Sequence, residues 1–306
     1  MNLEERVFIE DLVPKSPSLN LAMNMRMNEL VLKGDYQSSV RIYKHTPGVI
    51  LGYRESINDV SQEYCKMRGI EIVERKTGGS AVVVDPKTVL CYTAYIATGE
   101  KSPDITKWYK KLVKPIAEQL NGNGRVAAVE GAYYIRVQKD DEMIPFIGHA
   151  AAVKRQIIQL DGIVHIEKPK VEEIEQVLKL RRLYNYQGQK YLIAGDYVVP
   201  VTKGLSPEQI AAFDKKDSQI VRDERDELRK ILGLHDIGLD ERKFIDMLYA
   251  SFQKSIGPMK KTSPEKVNYG NIAKLRNEFK GSPNGLKQGL GHCFVDLVEP
   301  EPKELK

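Results

Sequence analysis

Between two strand-like runs, Ile70 to Arg75 and Val82 to Val84, the chain carries Arg75-Lys76-Thr77-Gly78-Gly79-Ser80-Ala81. Paired glycines let the backbone take conformations closed to other residues and let N–H groups come close to an anion, while Arg75 and Lys76 supply positive charge. The residues alone leave two readings open: a plain Gly-Gly turn between strands, or a cradle for an acid or phosphate group. The segment is neither a Walker loop nor a dinucleotide fingerprint, because Gly-Lys-Ser/Thr and Gly-x-Gly-x-x-Gly are both missing.

The runs around it predict a mixed sheet with helices. Ser16 or Ser18 can cap a helix with Pro17 in its first turn, whose Leu19, Ala22, Met23, Met27, Leu30 and Val31 share a face. Val40 to His45 and Val49 to Arg54 read as strands joined in a hairpin through Thr46-Pro47-Gly48. A short helix follows over Ser56 to Arg68, closed by Gly69. After the strand Val89 to Ile96, Ser102-Pro103 opens a helix with the stripe Ile105, Trp108, Leu112, Ile116 and Leu120, a kink at Pro115 and a stop at Gly122. Arg125 to Val129, Tyr133 to Val137, Gln156 to Leu160 and Ile163 to Ile166 are strand-like, the last two flanking an Asp161-Gly162 hairpin signal. Further on, Val171 to Leu180, Asp217 to Leu232 and Asp240 to Ser255 read as helices, Lys190 to Val201 as a strand, and Ser206-Pro207-Glu208-Gln209 as a helix start. Glu299 to Lys306 is a polar tail.

The 306 residues suffice for one large domain with an appendage. A net charge of +5, with both signs interleaved along the chain, predicts a solvated surface rather than a nucleic-acid face. Glu4, Glu5, Arg6, Glu10 and Asp11 break up the first residues, and no apolar run reaches membrane-spanning length, so a cytoplasmic address and no membrane partner are expected. Cys65, Cys91 and Cys293 are too scattered for a disulfide framework or a zinc site, and no metal site is expected; His292-Cys293 has no second pair nearby.

Taken in order, Asn20-Leu21-Ala22, Val49-Ile50-Leu51-Gly52-Tyr53, Arg75 to Val82 with Asp85 after it, Gly148-His149-Ala150 and Leu160-Asp161-Gly162-Ile163 form a series. This series resembles the lipoate–protein ligase and octanoyltransferase family, the branch related to biotin–protein ligases, over about Leu19 to Leu180. The resemblance implies an α/β (α+β) fold: a mixed, largely antiparallel sheet flanked by helices, with a helical C-terminal extension. It places a ligase-like domain at residues 1–255, with a probable insertion at 183–230, and an extension or tail at 256–306. The implied activity is adenylation of lipoate or octanoate with ATP and Mg²⁺, then acyl transfer to a lysine of a lipoyl-type carrier domain of a dehydrogenase or glycine cleavage protein, with a helper subunit possible. By the same resemblance Arg75, Thr77, Gly78, Gly79, Ser80, Ala81, Gly148, His149 and Ala150 line the adenylate and acyl carboxyl, and Asp85 lies beside the nucleotide. Asn20 supports the wall, while Gly52 and Tyr53 border the acyl tunnel.

Several positions depart from the family pattern. Pro145 stands where the family has the lysine that polarises the acyl carbonyl. Val84 and Asp161 replace two histidines and Glu74 an arginine, and Val126 to Tyr134 lacks the cysteine of the cysteine-dependent transferases. Lys154, with Arg155 beside it, is the candidate to fill the vacant cationic role; a lone His149, Cys91 or His165 is expected to be structural. Alternative readings are a non-catalytic relative that binds an acyl ligand and an ATP-independent transferase. Biotin transfer is disfavoured, because the Gly-Arg-Gly-Arg type loop of biotin ligases is absent.

Overall fold

The computed structural model describes residues 5–53, 55–130, 134–194, 197–200, 207–270 and 272–277. In chain order the elements are β1 (Arg6–Lys15), α1 (Pro17–Leu32), β2 (Ser38–His45), β3 (Gly48–Leu51), α2 (Gln62–Arg68), β4 (Glu71–Glu74), β5 (Val82–Val84) and β6 (Val89–Ala97). They continue with α3 (Ile105–Gly122), β7 (Ala127–Glu130), β8 (Tyr134–Lys139), β9 (Glu142–Lys154), β10 (Ile157–His165), α4 (Val171–Val177), β11 (Arg181–Tyr186), β12 (Gln189–Ala194) and β13 (Tyr197–Pro200). The remainder are α5 (Pro207–Ala211), β14 (Gln219–Asp223), α6 (Glu224–Lys230), α7 (Glu241–Ile256), β15 (Lys260–Thr262) and α8 (Ile272–Asn277).

Eight strands form the main sheet in the order β15-β1-β2-β6-β10-β9-β8-β7. It is antiparallel except where β1 pairs with β2 and β15. One face carries the main core, where Phe8, Ile42, Leu90, Leu160 and Ile135 meet Leu112 and Ile116 of α3 and Phe244 and Leu248 of α7. Alternation along each strand sends the other residues to the opposite face, which α1 covers at one end and the three-stranded sheet β4-β3-β5 at the other. A third sheet, β13-β12-β11-β14, follows α4.

Local chemistry accounts for the helices. Ser16 caps α1, its Oγ accepting from Leu19 N at 3.4 Å with Pro17 in the first turn. Asp104, rather than Ser102, caps α3, accepting from the amides of Thr106 and Lys107. That helix runs through Pro115, whose carbonyl accepts from Ser251 of α7. Trp108 of the predicted stripe is a core residue. Gly69 ends α2 in the left-handed conformation, φ 64°.

Three expectations fail. The predicted β2–β3 hairpin does not form: β3 joins β4 and β5 in a separate sheet, and Gly48 lies so close to Pro17 that a Cβ there would sit 2.3 Å from Pro17 Cγ. Asp161-Gly162 is no turn but the middle of β10, paired residue by residue with β6 and β9. Its glycine accommodates the Tyr92 ring, 2.1 Å from where a Cβ would stand. The helix read over Asp217 to Leu232 is half strand, β14 then α6, with Asp223 capping the helix. Within 256–306, expected as an extension or tail, β15 pairs with β1 of the main sheet and α8 packs on α1. Ser206, Arg54 and the tail from residue 278 lie outside the described residues.

Candidate active site

Small residues make the floor of a cavity of about 970 Å³ between α1, the three-stranded sheet and the main sheet. On β10, Gln159, Asp161 and Ile163 face it; across the ladder they pair with Ala152, Ala150 and Gly148 on β9 and with Tyr95, Thr93 and Cys91 on β6. Gly148 and Ala150 therefore fall on the floor. His149, expected beside them as a ligand contact, points the other way. Its ring packs against Tyr92 and Tyr109, with Nε2 2.5 Å from the Tyr92 hydroxyl, in the core beneath α3. Strand parity turns its ring to the Tyr92 side, while its backbone stays in the lining between Gly148 and Ala150.

The glycine segment closes over this floor. Thr77 is buried, and its hydroxyl donates to Asp161 Oδ2 at 2.6 Å. Thr93 Oγ1 donates to Asp161 Oδ1 at 2.8 Å and Gln159 Nε2 to Oδ2 at 2.9 Å. Burial raises the Asp161 carboxyl above its ordinary range, and these donors pull it back. Arg75, expected to face an anion, turns its guanidinium to the loop itself: Nη2 donates to the carbonyls of Gly78 at 2.6 Å and Ser80 at 3.0 Å, and Nη1 to that of Ile50 at 3.2 Å. Gly79 takes φ 89°, and its carbonyl would lie 1.9 Å from a Cβ at Gly52. Gly52 is thus a contact of the loop, and Tyr53, 56% exposed, donates its amide to the Thr77 carbonyl at the mouth. Gly79, Ser80 and Ala81 line the cavity; nothing lies within 4 Å of a Cβ built at Gly78.

Asp85 is not among the residues that line the cavity. Its carboxylate accepts from Lys87 N in the turn between β5 and β6. Asn20 supports the wall from behind, donating to the carbonyls of Lys15 and Lys44 and accepting from Arg41 at 2.6 Å. Lys154 shares the face of Ala150 and Ala152 but is exposed at the end of β9, and Arg155 turns away in the left-handed conformation, φ 57°.

Leu21, Met25, Ile50, Val82, Val84, Cys91 and Ile163 make one part of the lining apolar. Burial pushes the Cys91 thiol up to about 12 and the His165 imidazole down to about 4, which favours the uncharged form of both at pH 7. Another part is built from groups that no motif announces. Arg181, first residue of β11, donates to Glu55 at 2.6 Å and Asp59 at 3.0 Å, and its amide donates to Glu224. Burial lifts the Glu224 carboxyl to about 7. Glu55 and Arg181 alone are 126 positions apart in sequence, so only the folded chain assembles this group.

The family model of the lipoyl protein ligase A/B catalytic domain matches residues 16–186, more than half of the chain. The chain belongs to this family. It is a family of lipoate and octanoate ligases and transferases. Among curated proteins, the octanoyltransferase LipM of Brevibacillus brevis is 31% identical over 99 residues, a match that spans only 35% of that protein and 31% of this chain.

Solved structures agree on the fold. An archaeal bipartite lipoate protein ligase from Thermoplasma acidophilum, studied with its E2 lipoyl domain, superposes with a TM-score of 0.61 at 17% identity, covering 90% of this chain and 91% of that one. A lipoate-protein ligase A bound with ATP gives 0.58 at 16% identity, over 90% and 93%. LipL1 of P. falciparum, in complex with lipoate, gives 0.59 at 14% identity, over 90% and 72%. The expected fold, a mixed and mostly antiparallel sheet flanked by helices, is the one observed.

Proposed function

We propose that the protein adenylates lipoate or octanoate with ATP and passes the acyl group to a lysine of a lipoyl-type carrier domain. The observation that carries this reading is the single cavity of about 970 Å³, which joins an apolar lining to a glycine segment and a cationic wall, and so has room for an acyl chain and a nucleotide together. ATP supplies the activating adenylyl group: the acid's carboxylate oxygen bonds to the α-phosphorus and pyrophosphate leaves. The carrier amine then attacks the acyl carbon, its proton is lost, and AMP departs with the bonding pair.

The chain's own part is positioning and charge. Leu21, Met25, Ile50 and Ile163 take the acyl chain, the open side of Gly78 admits a phosphate oxygen against the backbone, and Lys76 adds positive potential. Among the described residues no group of three or more His, Cys, Asp or Glu could hold a metal ion, so Mg²⁺ would enter on the nucleotide phosphates. No helix among them is long and apolar enough to cross a membrane.

Likeness to LipM raises ATP-independent transfer as a second reading, but the buried Cys91 and Cys65, both with thiols raised by burial, are poor nucleophiles. Pro145 supports a third, a relative that binds without catalysing. Thermal unfolding with octanoylsulfamoyl adenosine, a stable mimic of the acyl adenylate, followed by ATP–pyrophosphate exchange, separates them. A rise in unfolding temperature with exchange supports the ligase, a rise without exchange the binding relative, and no rise removes both.

A further inference from the structure

The geometry points to Arg136 as the residue that holds the acyl carboxyl and, after activation, the bridging phosphate. The inference rests on the reading just given and concerns how that cavity works without a lysine at position 145.

On β8, Ile135 and Val137 are buried in the core under α3 and α7, so Tyr134 and Arg136 alternate to the cavity face, and both line it. Arg136 pairs with Pro145 across the β8–β9 ladder, next to a bulge that sends Phe146 into the core against Phe244. Directly opposed residues have Cβ atoms about 5 Å apart, so the Arg136 side chain starts beside the place from which a lysine at 145 would have started. The bulge makes Pro145 tolerable in a strand, and its carbonyl accepts from Leu232 N at 3.0 Å.

The other three arginines that line the cavity are each held by a partner of their own. Arg75 serves the loop carbonyls, Arg181 the carboxylates of Glu55 and Asp59, and Arg222 that of Glu227. Lys154 stands four strand positions from Ala150, about 13 Å along β9, and is exposed. Arg136 is half-buried and donates Nη1 to the Met143 carbonyl at 3.2 Å. A guanidinium there presents a fork of donors matched to a carboxylate or a phosphate.

The test compares octanoylsulfamoyl adenosine, whose linker is anionic, with the same molecule carrying an uncharged ether linker, by calorimetry. Arg136→Ala and Arg136→Gln should weaken the anionic ligand by at least about tenfold and leave the ether ligand within about twofold, while Arg136→Lys recovers part of the loss. Lys114→Ala on α3, 74% exposed, is the control expected to match the wild type. Unchanged affinity in both Arg136→Ala and Arg136→Gln, with wild-type binding intact, overturns the assignment and leaves the function standing. A loss confined to Lys154→Ala overturns it in favour of the strand-end lysine. Failure of the wild type to bind either ligand removes the function and the assignment together.

Discussion

Arg41 and Asp11, each 1% exposed, form an ion pair beneath α1, with Nη2 at 2.5 Å and Nε at 3.1 Å from Asp11 Oδ2. The pair begins a continuous chain of hydrogen bonds. Arg41 donates to Asn24 Oδ1, Asn24 Nδ2 donates to Tyr43 and Thr93, Thr93 to Asp161, and Thr77 meets Asp161 from the loop. Removing one partner of a buried pair leaves the other charge without compensation, so Arg41→Ala should cost about 3–5 kcal/mol, read from urea unfolding. At Gly52 the effect is on binding. A methyl there must displace the Gly79 carbonyl, and Gly52→Ala should weaken octanoylsulfamoyl adenosine by at least about tenfold, or 1.4 kcal/mol, measured by calorimetry. A loss of unfolding temperature with unchanged affinity would place Gly52 in packing alone.

Elements whose period matched one partner surface were legible in the chain: α1, α3 and α7 each show a buried stripe and a polar cap. Elements shaped by distant partners were not. Asp161-Gly162 carries the composition of a turn because Asp161 must receive Thr77 and Gly162 must admit the ring of Tyr92, both set by residues about 70 or more positions away in the folded sheet. The glycine segment was legible as a feature, yet Arg75's service to its own loop and His149's inward turn depend on strand pairing that no local pattern fixes. Gly162→Ala should cost about 1–3 kcal/mol by overpacking Tyr92, read from the urea midpoint.

The junction of β11 with α6 titrates. Glu224, at about 7 when folded against an ordinary 4.5, binds its proton more tightly in the native state, chiefly through burial, with Arg181 opposing. Its contribution to stability is therefore greatest at low pH and falls as the pH rises from 4.5 to 7. Urea midpoints below about pH 5 and above about pH 8 should differ less in Glu224→Gln than in the wild type. Equal differences would assign that pH dependence elsewhere, to Glu55 or Asp161, whose carboxyls burial also raises.

Across the whole molecule, the cavity is lined by α1, β2, β3, the glycine segment, β5, β6, β8, β9, β10, α4, β11, β14 and α6, so no contiguous stretch of chain contains it. The main sheet has a similar spread: β1 has β2 on one side and β15, more than 240 residues later, on the other. During synthesis β1 emerges long before β15 and waits with one hydrogen-bonding edge without its partner, and an open strand edge is a template for pairing with other nascent chains. Synthesis order thus makes β15, three residues long, a late seal against aggregation. A chain stopped at residue 258 should run as soluble aggregate in size-exclusion chromatography, whereas one stopped at residue 277 should run as the full chain does.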